Sequence, residues 1–332
     1  SSRHWPSLGK AILLMNNPGI TVGELGEFEL IDQIQKRLAT SSNSKVSVGI
    51  GDDSAVVSAS GNQAVACVDV LSQGVHFRLD WSSANEVGRK AAAANLADIC
   101  AMGASPTALL VGLALPETTE VSWVLELADG LAQEASKVNV QVVGGDIVRS
   151  EIITISVTAL GELEHRNPIL RSGANPGDTI AVAGKLGFSA AGYLMLSRGF
   201  RSPRALVGAH RAPEPPYELA ALAHKATSMI DISDGLLSDA GHIAKASNVQ
   251  MHIKTSELVV AEDLSAAASA FSGNALDWVL NGGEDHAFLA TFSSPLDVPT
   301  GWLLIGTVKP GEPGVYVDDV LTSPKGWDHF KK

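Results

Sequence analysis

Residues 85–115 read NEVGRKAAAANLADICAMGASPTALLVGLAL, a stretch that predicts one helix and one strand. The first part, residues 85–102, is rich in alanine and is followed by Gly103 and Pro106, so the helix is expected to end near Met102. Residues 107–115 form a continuous apolar run of strand length. A helix followed directly by a buried strand is typical of an α/β or α+β domain, in which helices cover a sheet.

The segments on either side of this stretch continue the alternation. They predict a helix (24–38), two strands (46–57 and 64–71), a second long helix (121–138), and two strands (140–143 and 152–160) around a turn at Gly144-Gly145-Asp146. The first domain is therefore expected to end near Glu162.

A linker rich in proline and glycine, residues 166–178, separates this unit from a second α/β unit. The second unit is predicted to contain strand 179–183, helix 189–198, a rigid proline-rich connection at 202–216, helices 217–226 and 236–246, and strand 250–254. The predicted domains are an N-terminal arm (1–22), an N-terminal α/β domain (23–163) and a C-terminal α/β domain (164–332).

Composition limits the class of protein. The chain has 332 residues, of which 45% are hydrophobic and 18% charged, so two globular domains are expected. The formal net charge of -12 argues against non-specific binding to nucleic acid, which needs a basic surface. Cys67 and Cys100 have neither metal-ligand spacing nor a disulfide framework, and no apolar run approaches the roughly 20 residues of a membrane span. We expect a cytoplasmic protein without nucleic-acid or membrane partners.

Aspartates recur at the ends of the predicted strands and on the alanine-rich helix, each beside glycine or small residues. The stretches are Gly51-Asp52-Asp53, Val68-Asp69-Val70, Asn95-Leu96-Ala97-Asp98, Gly144-Gly145-Asp146 and Asp231-Ile232-Ser233-Asp234-Gly235. Two bare carboxylates about 4 Å apart repel each other by roughly 4 kcal/mol at an effective dielectric constant near 20. No comparable set of lysines or arginines accompanies them, and Mg²⁺ prefers a few carboxylates together with substrate phosphates. The pattern favours phosphate chemistry that depends on metal ions.

Each of these stretches also has a structural interpretation. Asp98 lies in mid-helix among alanines with Asn95 on the same face, which favours a functional role. Asp234 matches a helix N-cap, but capping leaves Asp231 unexplained. The stretch Gly282-Gly283-Glu284-Asp285-His286 fits the close approach of a ligand and, equally well, a helix C-cap followed by a solvated turn. The sequence contains neither P-loop spacing nor the protein-kinase or HExxH zinc motifs.

A set of short motifs runs in order from about residue 23 to the end of the chain. They are Leu25-Gly26-Glu27-Phe28, Gly51-Asp52-Asp53-Ser54-Ala55, Asp69-Val70-Leu71, Gly74-Val75-His76-Phe77, Asn95-Leu96-Ala97-Asp98, Met102-Gly103-Ala104, Gly144-Gly145-Asp146, Arg171-Ser172-Gly173-Ala174, Asp231-Ile232-Ser233-Asp234-Gly235-Leu236, Gly282-Gly283-Glu284-Asp285 and Lys325-Gly326-Trp327. Together they resemble the thiamine-monophosphate kinase family, within a superfamily that includes aminoimidazole ribonucleotide synthetase and selenophosphate synthetase. The motifs of the second half favour this kinase over its superfamily relatives.

The resemblance implies an α/β (α+β) fold of two domains of the aminoimidazole ribonucleotide synthetase type, with mixed sheets flanked by helices. It implies a homodimer that phosphorylates thiamine monophosphate to thiamine diphosphate with ATP, by direct in-line transfer with several Mg²⁺ ions. It also implies that the N-terminal domain (23–163) carries the metal and ATP site and the dimer contact. By position, the implied metal ligands are Asp53, Val68, Asp69, Asp98, Asp146, Asp231 and Asp234, with Asp98 and Asp234 central to catalysis. The implied nucleotide contacts are Gly145, Asp146, Arg171 and Ser233, and the implied thiamine contacts are His76, Glu284 and Trp327.

The chain departs from the family pattern at three of these places, one of which is the continuation of Gly144-Gly145-Asp146 as Ile147-Val148-Arg149. Cys67 and Val68 stand where the family usually has threonine or serine, so one metal ligand is a backbone carbonyl there or is lost. His286 stands where a tyrosine is common. Two other interpretations remain open from sequence alone, namely another ATP-dependent superfamily member with a different small substrate and a non-catalytic module that binds metal or nucleotide.

Overall fold

The computed structural model describes residues 19–38, 45–48, 56–59 and 63–323 of the chain. Its first half contains α1 (Val22–Leu25), α2 (Glu27–Leu38), β1 (Val46–Val48), β2 (Val56–Val57), β3 (Ala64–Ser72), α3 (Ala84–Ala101), β4 (Ser105–Leu115), α4 (Val121–Ser136), β5 (Gln141–Arg149) and β6 (Thr154–Glu162). Helix α3 begins at a capping box, in which the Ser83 hydroxyl accepts from the Glu86 backbone and the Glu86 carboxylate accepts from the Ser83 backbone.

The first sheet has the strand order β3-β6-β4-β5. Directly paired residues across a sheet have side chains on the same face, so the pairs Asp69–Val157, Val157–Val111 and Val111–Gly145 define one row. Val157 is fully buried in this row, which therefore lies on the face that α3 and α4 cover. The opposite face, called here the outer face, carries Val68 and Val70, which are 58% and 50% exposed.

Helices α3 and α4 cross at two glycines. A Cβ atom on Gly88 would overlap the carbonyl oxygen of Leu127, and one on Gly130 would overlap the carbonyl oxygen of Asn85. The two backbones therefore touch without intervening side chains. This contact fixes the position of α3, the helix that carries Asp98.

We expect Gly130→Ala to lower the free energy of unfolding by about 1–3 kcal/mol, because the new methyl group has no space at the helix crossing. In an open helix the same change raises stability by up to about 1 kcal/mol. The matched control is Gly208→Ala, since a Cβ there meets nothing within 4 Å. Urea unfolding of both variants measures the difference, and equal effects at the two positions would contradict the crossing.

The second half contains its own larger sheet. Its elements are β7 (Thr179–Ala183), α5 (Phe188–Ser197), α6 (Arg204–Arg211), α7 (Tyr217–Leu222), β8 (Ala226–Ile232), α8 (Leu236–Ser247), β9 (Gln250–Ile253), α9 (Glu262–Phe271), α10 (Ala275–Asn281), β10 (Ala287–Phe292), β11 (Leu303–Lys309), β12 (Gly314–Val317) and β13 (Val320–Leu321). The strand order is β13-β12-β9-β11-β7-β10-β8. The fold is therefore two mixed α/β units in series, as the sequence predicted.

The two faces of the second sheet belong to different cores. Leu289 and Ile230 pack in a cluster with α5 and α8, whereas Phe288, Phe292 and Met229 pack in the same cluster as the first half. A second link is polar. Glu134 of α4 is fully buried, and it accepts hydrogen bonds from the Arg89 Nε atom at 3.2 Å and from the Tyr217 hydroxyl at 2.9 Å. The halves thus form one body, with α3 between them.

Two expectations about local structure are wrong. Gly144-Gly145-Asp146 is not a turn but lies inside β5, where the missing side chain of Gly145 lets the strand approach the Val111 backbone. The proline-rich segment 202–216 is not only a connection, because α6 begins directly after Pro203. Proline is tolerated at a helix start, and the remaining prolines lie beyond the last turn.

In the part of the chain that the structure describes, no helix is both long and apolar enough to cross a membrane.

Candidate active site

Asp69 and Asp98 are brought together by a buried asparagine. The Asn95 side chain accepts from the Asp69 backbone N–H at 3.0 Å and donates to the Ala91 carbonyl oxygen at 3.0 Å. It therefore ties α3 to β3 one turn before Asp98. Burial, then the charges of Asp231 and Asp69, raise the pKa of Asp98 to about 7. The pKa of Asp69 is also raised, first by burial.

The second half contributes Asp231 to the same place. Asp231 lies near the end of β8 and is 4% exposed, and its carboxylate contacts the His286 Nδ1 atom at 3.0 Å. Burial lowers the pKa of His286, but the hydrogen bond and charge of Asp231 outweigh it, so the net shift is upward. The charge of Asp231 also raises the pKa of Asp98, so the carboxylates of the two halves are close enough to interact across the boundary.

Asp234 extends the group towards α8. Gly235, not Asp234, is the residue that precedes this helix, so the capping interpretation of Asp234 is wrong. Ligand atoms of Asp234, Asp239 and His242 lie within 4.8 Å of one another, and the Asp239 carboxylate accepts from the Asp234 backbone at 3.1 Å. Burial, then the charges of Asp231 and Asp234, raise the pKa of Asp239 to about 8. We therefore place Asp239 next to the carboxylates that the sequence analysis singled out.

Gly282 is the C-cap of α10, as one interpretation expected, but the turn at Gly282–His286 is tight and largely buried rather than solvated. Asp285 is 8% exposed and accepts from the Gly187 and Ser189 backbone N–H groups at 2.5 and 2.8 Å. Glu284 and His286 on either side have φ angles of 61° and 51°, in the left-handed region. The turn is anchored by Asp285, and it presents its two neighbours to the boundary between the halves.

The residues expected on the thiamine side meet at a buried lysine. Lys90 of α3 is 3% exposed, and its ammonium donates to the carbonyl oxygens of His76 and His210 at 3.0 and 3.1 Å and to Glu284 Oε2 at 3.2 Å. The His76 ring accepts from the Ser72 backbone at 3.0 Å. His76 and Glu284, which are far apart in sequence, are therefore joined through Lys90.

The residues expected to contact nucleotide fall in two places. Ser233 lies beside Glu284, whose N–H donates to the Ser233 carbonyl oxygen at 2.7 Å, and the charge of the exposed Arg171 acts on Asp239. Gly145 and Asp146 instead lie on β5, three strands from Asp69, a separation of about 14 Å at the usual strand spacing. Asp146 pairs with Gly112 and so points to the outer face, away from Asp98.

A cavity of about 120 Å³ opens beside Gly145 and Asp146. Apolar side chains of α2, β4, β5 and α4 line most of it, among them Ile34, Leu127 and Ile147. Such a cavity suits a flat, largely apolar group rather than a phosphate.

Three further predicted site residues have different outcomes. Val68 lies in β3 with its side chain on the outer face, so only its backbone can take part in a site on the Asp69 side. Asp53 and Trp327 lie outside the described residues. Their predicted roles in metal and thiamine binding stay predictions.

We expect the metal-free protein to lose stability as the pH rises from about 4 to about 8. Asp98, Asp239 and Asp285 have folded-state pKa values of about 7, 8 and 7, against 3.8 for the ordinary group. Between these values the folded chain holds more protons than the unfolded chain, so stability falls with rising pH. Thermal unfolding in a chelator across this range measures the slope. Asp239→Asn should flatten it, and an unchanged slope would contradict the assignment.

A family model described as AIR synthase related protein, N-terminal domain, matches residues 51–163, and the corresponding C-terminal domain model matches residues 175–312. The thiamine-monophosphate kinase of Mycobacterium tuberculosis (strain ATCC 25618 / H37Rv) is 45% identical over 317 residues, 93% of each chain.

The chain belongs to the thiamine-monophosphate kinase family. A solved structure described as AaThiL complexed with AMPPCP and TMP is 36% identical, has a TM-score of 0.76, and covers 94% of this chain and 99% of its own. The thiamine-monophosphate kinase of Stenotrophomonas maltophilia K279a is 32% identical, also with a TM-score of 0.76, over 90% of this chain and 98% of its own. The family, fold class and enzyme class expected from the motifs are confirmed.

Three residues that the motifs do not identify also belong to this candidate site. Lys90, Asp239 and His286 are central to its contacts, although none was named as a site residue. A signal existed for Lys90, because a lysine among alanines on the same helix as Asp98 is as unusual as the aspartate itself. His286 was noted only as a departure from the family pattern.

Proposed function

We propose that this chain transfers the γ-phosphoryl group of ATP to thiamine monophosphate, giving thiamine diphosphate and ADP by direct in-line attack. The observation that carries the proposal is the meeting of Asp69 and Asp98 from the first half with Asp231 from the second. Family membership supports the reaction, since a relative was solved with AMPPCP, a nucleotide analogue of ATP, and TMP. In-line phosphoryl transfer needs positioning and charge neutralisation rather than a covalent nucleophile.

The carboxylate group fits Mg²⁺ by its donor chemistry. Its donors are hard oxygen atoms, and burial with mutual repulsion raises the pKa values of Asp98 and Asp69 until a cation compensates the charge. We propose that Asp69, Asp98, Asp231 and Asp234 hold the ions, with Asp53, Asp146 and the Val68 backbone as further ligands. When bound, Mg²⁺ neutralises phosphate charge and orients the reacting groups.

The chain's own residues then have distinct tasks. Asn95 orients the Asp69 backbone and so aligns the two carboxylates of the first half. Asp285 fixes the turn that presents Glu284, a candidate contact for the thiamine rings together with His76 and Trp327. Ser233 and Arg171 lie on the side of Asp234 and Asp239, where we place the nucleotide phosphates. The apolar cavity beside Gly145 is a suitable place for the adenine base.

We further propose that the enzyme is a homodimer joined through the outer face of the first sheet. Val68, Val70 and Val148 are 50–58% exposed there, an apolar surface of the kind that mediates subunit contacts. Asp146 shares this face and points away from the Asp98 of its own chain. In the dimer, Asp146 would act in the partner's site.

We also propose a domain boundary at residues 163/164 and a cytoplasmic location.

The test of the reaction is an assay with ATP, Mg²⁺ and thiamine monophosphate in which the products are identified. We expect ADP and thiamine diphosphate in equal amounts. Thiamine-independent ADP release, or no release at all, would exclude the proposed reaction, while another phosphorylated product would indicate a different acceptor.

A further inference from the structure

We propose that Lys90 is the positioning residue that sets the affinity for the ring end of thiamine monophosphate, by holding Glu284 in place; this inference rests on the proposed function. Lys90 contacts neither the carboxylates of the metal group nor the nucleotide side in the described residues. Its partners are the carbonyl oxygens of His76 and His210 and the carboxylate of Glu284.

The ammonium group of Lys90 is used completely. An ammonium has three N–H donors, and three acceptors lie at 3.0, 3.1 and 3.2 Å around it. The acceptors come from three separate segments, namely the loop before α3, the last turn of α6 and the turn after α10. The Nζ atom of Lys90 therefore connects both halves of the molecule. Only 3% of the residue is exposed to solvent.

The contacts leave one side of Glu284 for a ligand. Lys90 and the His210 Nδ1 atom both meet Oε2, at 3.2 and 3.3 Å, while the Glu284 side chain remains 35% exposed. Burial raises the pKa of Glu284, but the charge and hydrogen bond of Lys90 together with the neighbouring histidine rings outweigh it, so the net shift is downward and the group is a carboxylate. Burial also lowers the pKa of His210 to about 3, so this ring is neutral and Lys90 is the compensating cation.

This arrangement defines the chemistry that Glu284 recognises. With Oε2 occupied, Oε1 is the oxygen that can accept a hydrogen bond from an amino group on a planar ring. The aminopyrimidine ring of thiamine carries such a donor. The backbone of Glu284 is held in the left-handed region by Asp285, and the carboxylate direction is set by Lys90, the charged partner, together with the neutral His210 ring.

The experiment compares the wild type with Lys90→Met, Glu284→Gln, the double variant and Lys90→Arg. Lys90→Met should raise the KM for thiamine monophosphate by about 10- to 100-fold, the range expected for a hydrogen bond to a charged group. The KM for ATP and the kcat should stay near their wild-type values, because the lost binding is uniform along the reaction. Lys245→Met, on the exposed side of α8, is the surface control and should change neither KM.

The double variant shows whether Lys90 acts through Glu284. We expect its KM for thiamine monophosphate to be close to that of the worse single variant, since both changes remove the same contact. Lys90→Arg retains the charge, but its planar donors cannot reach three acceptors around one point, so the KM should still rise. Because Lys90→Arg keeps a charged partner for Glu284, it provides the test of the Lys90 contact if Lys90→Met does not fold.

The outcomes separate this inference from the proposed function. A wild-type enzyme without turnover of thiamine monophosphate would exclude the function itself. An active wild type whose Lys90→Met variant shows equal increases in both KM values, or effects that add in the double variant, would overturn the role of Lys90. A normal KM in Lys90→Arg would also overturn it, because charge alone would then suffice.

Discussion

Asp98→Asn should lower kcat by about 10²- to 10³-fold, the loss typical when one preorganised charged group is removed from a transition-state site. Asparagine has the same shape but lacks the negative charge that the metal group needs. The same change should raise the melting temperature of the metal-free protein, because burial and the charges of Asp231 and Asp69 disfavour the Asp98 carboxylate in the fold. Steady-state kinetics at saturating ATP and thermal unfolding in chelator measure the two effects.

The opposite signs of these effects make the test specific. Replacing a residue that stabilises the fold lowers the stability of the protein. Replacing a residue that serves function at a cost in stability raises it. Asn95→Ala is the contrasting variant, since it removes two buried hydrogen bonds and should lower both activity and stability. Near-normal kcat in Asp98→Asn would show that Asp98 is not a core ligand.

Mixed dimers of Asp98→Asn and Asp146→Asn should recover activity that neither variant has alone. If Asp146 acts in the partner's site, one site of the mixed dimer contains both changes and the other contains neither, so about half of the wild-type kcat per dimer is expected. The basis is the pairing of Asp146 with Gly112, which directs the side chain to the outer face. The measurement uses two affinity tags to isolate the mixed dimer.

The alternative arrangement gives a different result in the same experiment. If Asp146 served its own chain, each site of the mixed dimer would contain one change and the dimer would be inactive. A mixture of the two separately purified homodimers, assayed before subunits exchange, is the control. A purely monomeric protein in sedimentation experiments would exclude the shared site altogether.

The parts of the fold that depend on local sequence were predicted well. Helix α3 was expected at residues 85–102 and is found at Ala84–Ala101, because its alanine content and its terminal residues determine it locally. The course of β5 was not predicted. Gly144-Gly145-Asp146 has the composition of a turn. A glycine is needed at position 145 because the Val111 backbone on the neighbouring strand leaves no space for a side chain, and the sequence does not reveal this contact.

The candidate site shows the same division. The aspartates were found by their unfavourable local settings, which can be read from a few neighbouring residues. Lys90 and Glu284 are 194 positions apart, and Asp231 and His286 are 55 apart, so their pairing exists only after both halves have folded. The sequence therefore did not show which distant basic side chains compensate the charge of the acidic ones. The expectation that no basic residues accompany the acidic residues held only for neighbours in sequence.

One consequence of α3 concerns substrate length. Lys90 and Asp98 are eight residues apart on this helix, a rise of about 12 Å. The helix is held rigidly by the glycine crossing with α4. If the ring end of the substrate lies at Lys90 and its phosphate end at Asp98, as proposed, the helix sets the distance between them. A molecule with the right ring but a shorter or longer chain between ring and phosphate would reach either the Lys90 end or the Asp98 end, but not both. The enzyme would then select its substrate by length as well as by chemical group.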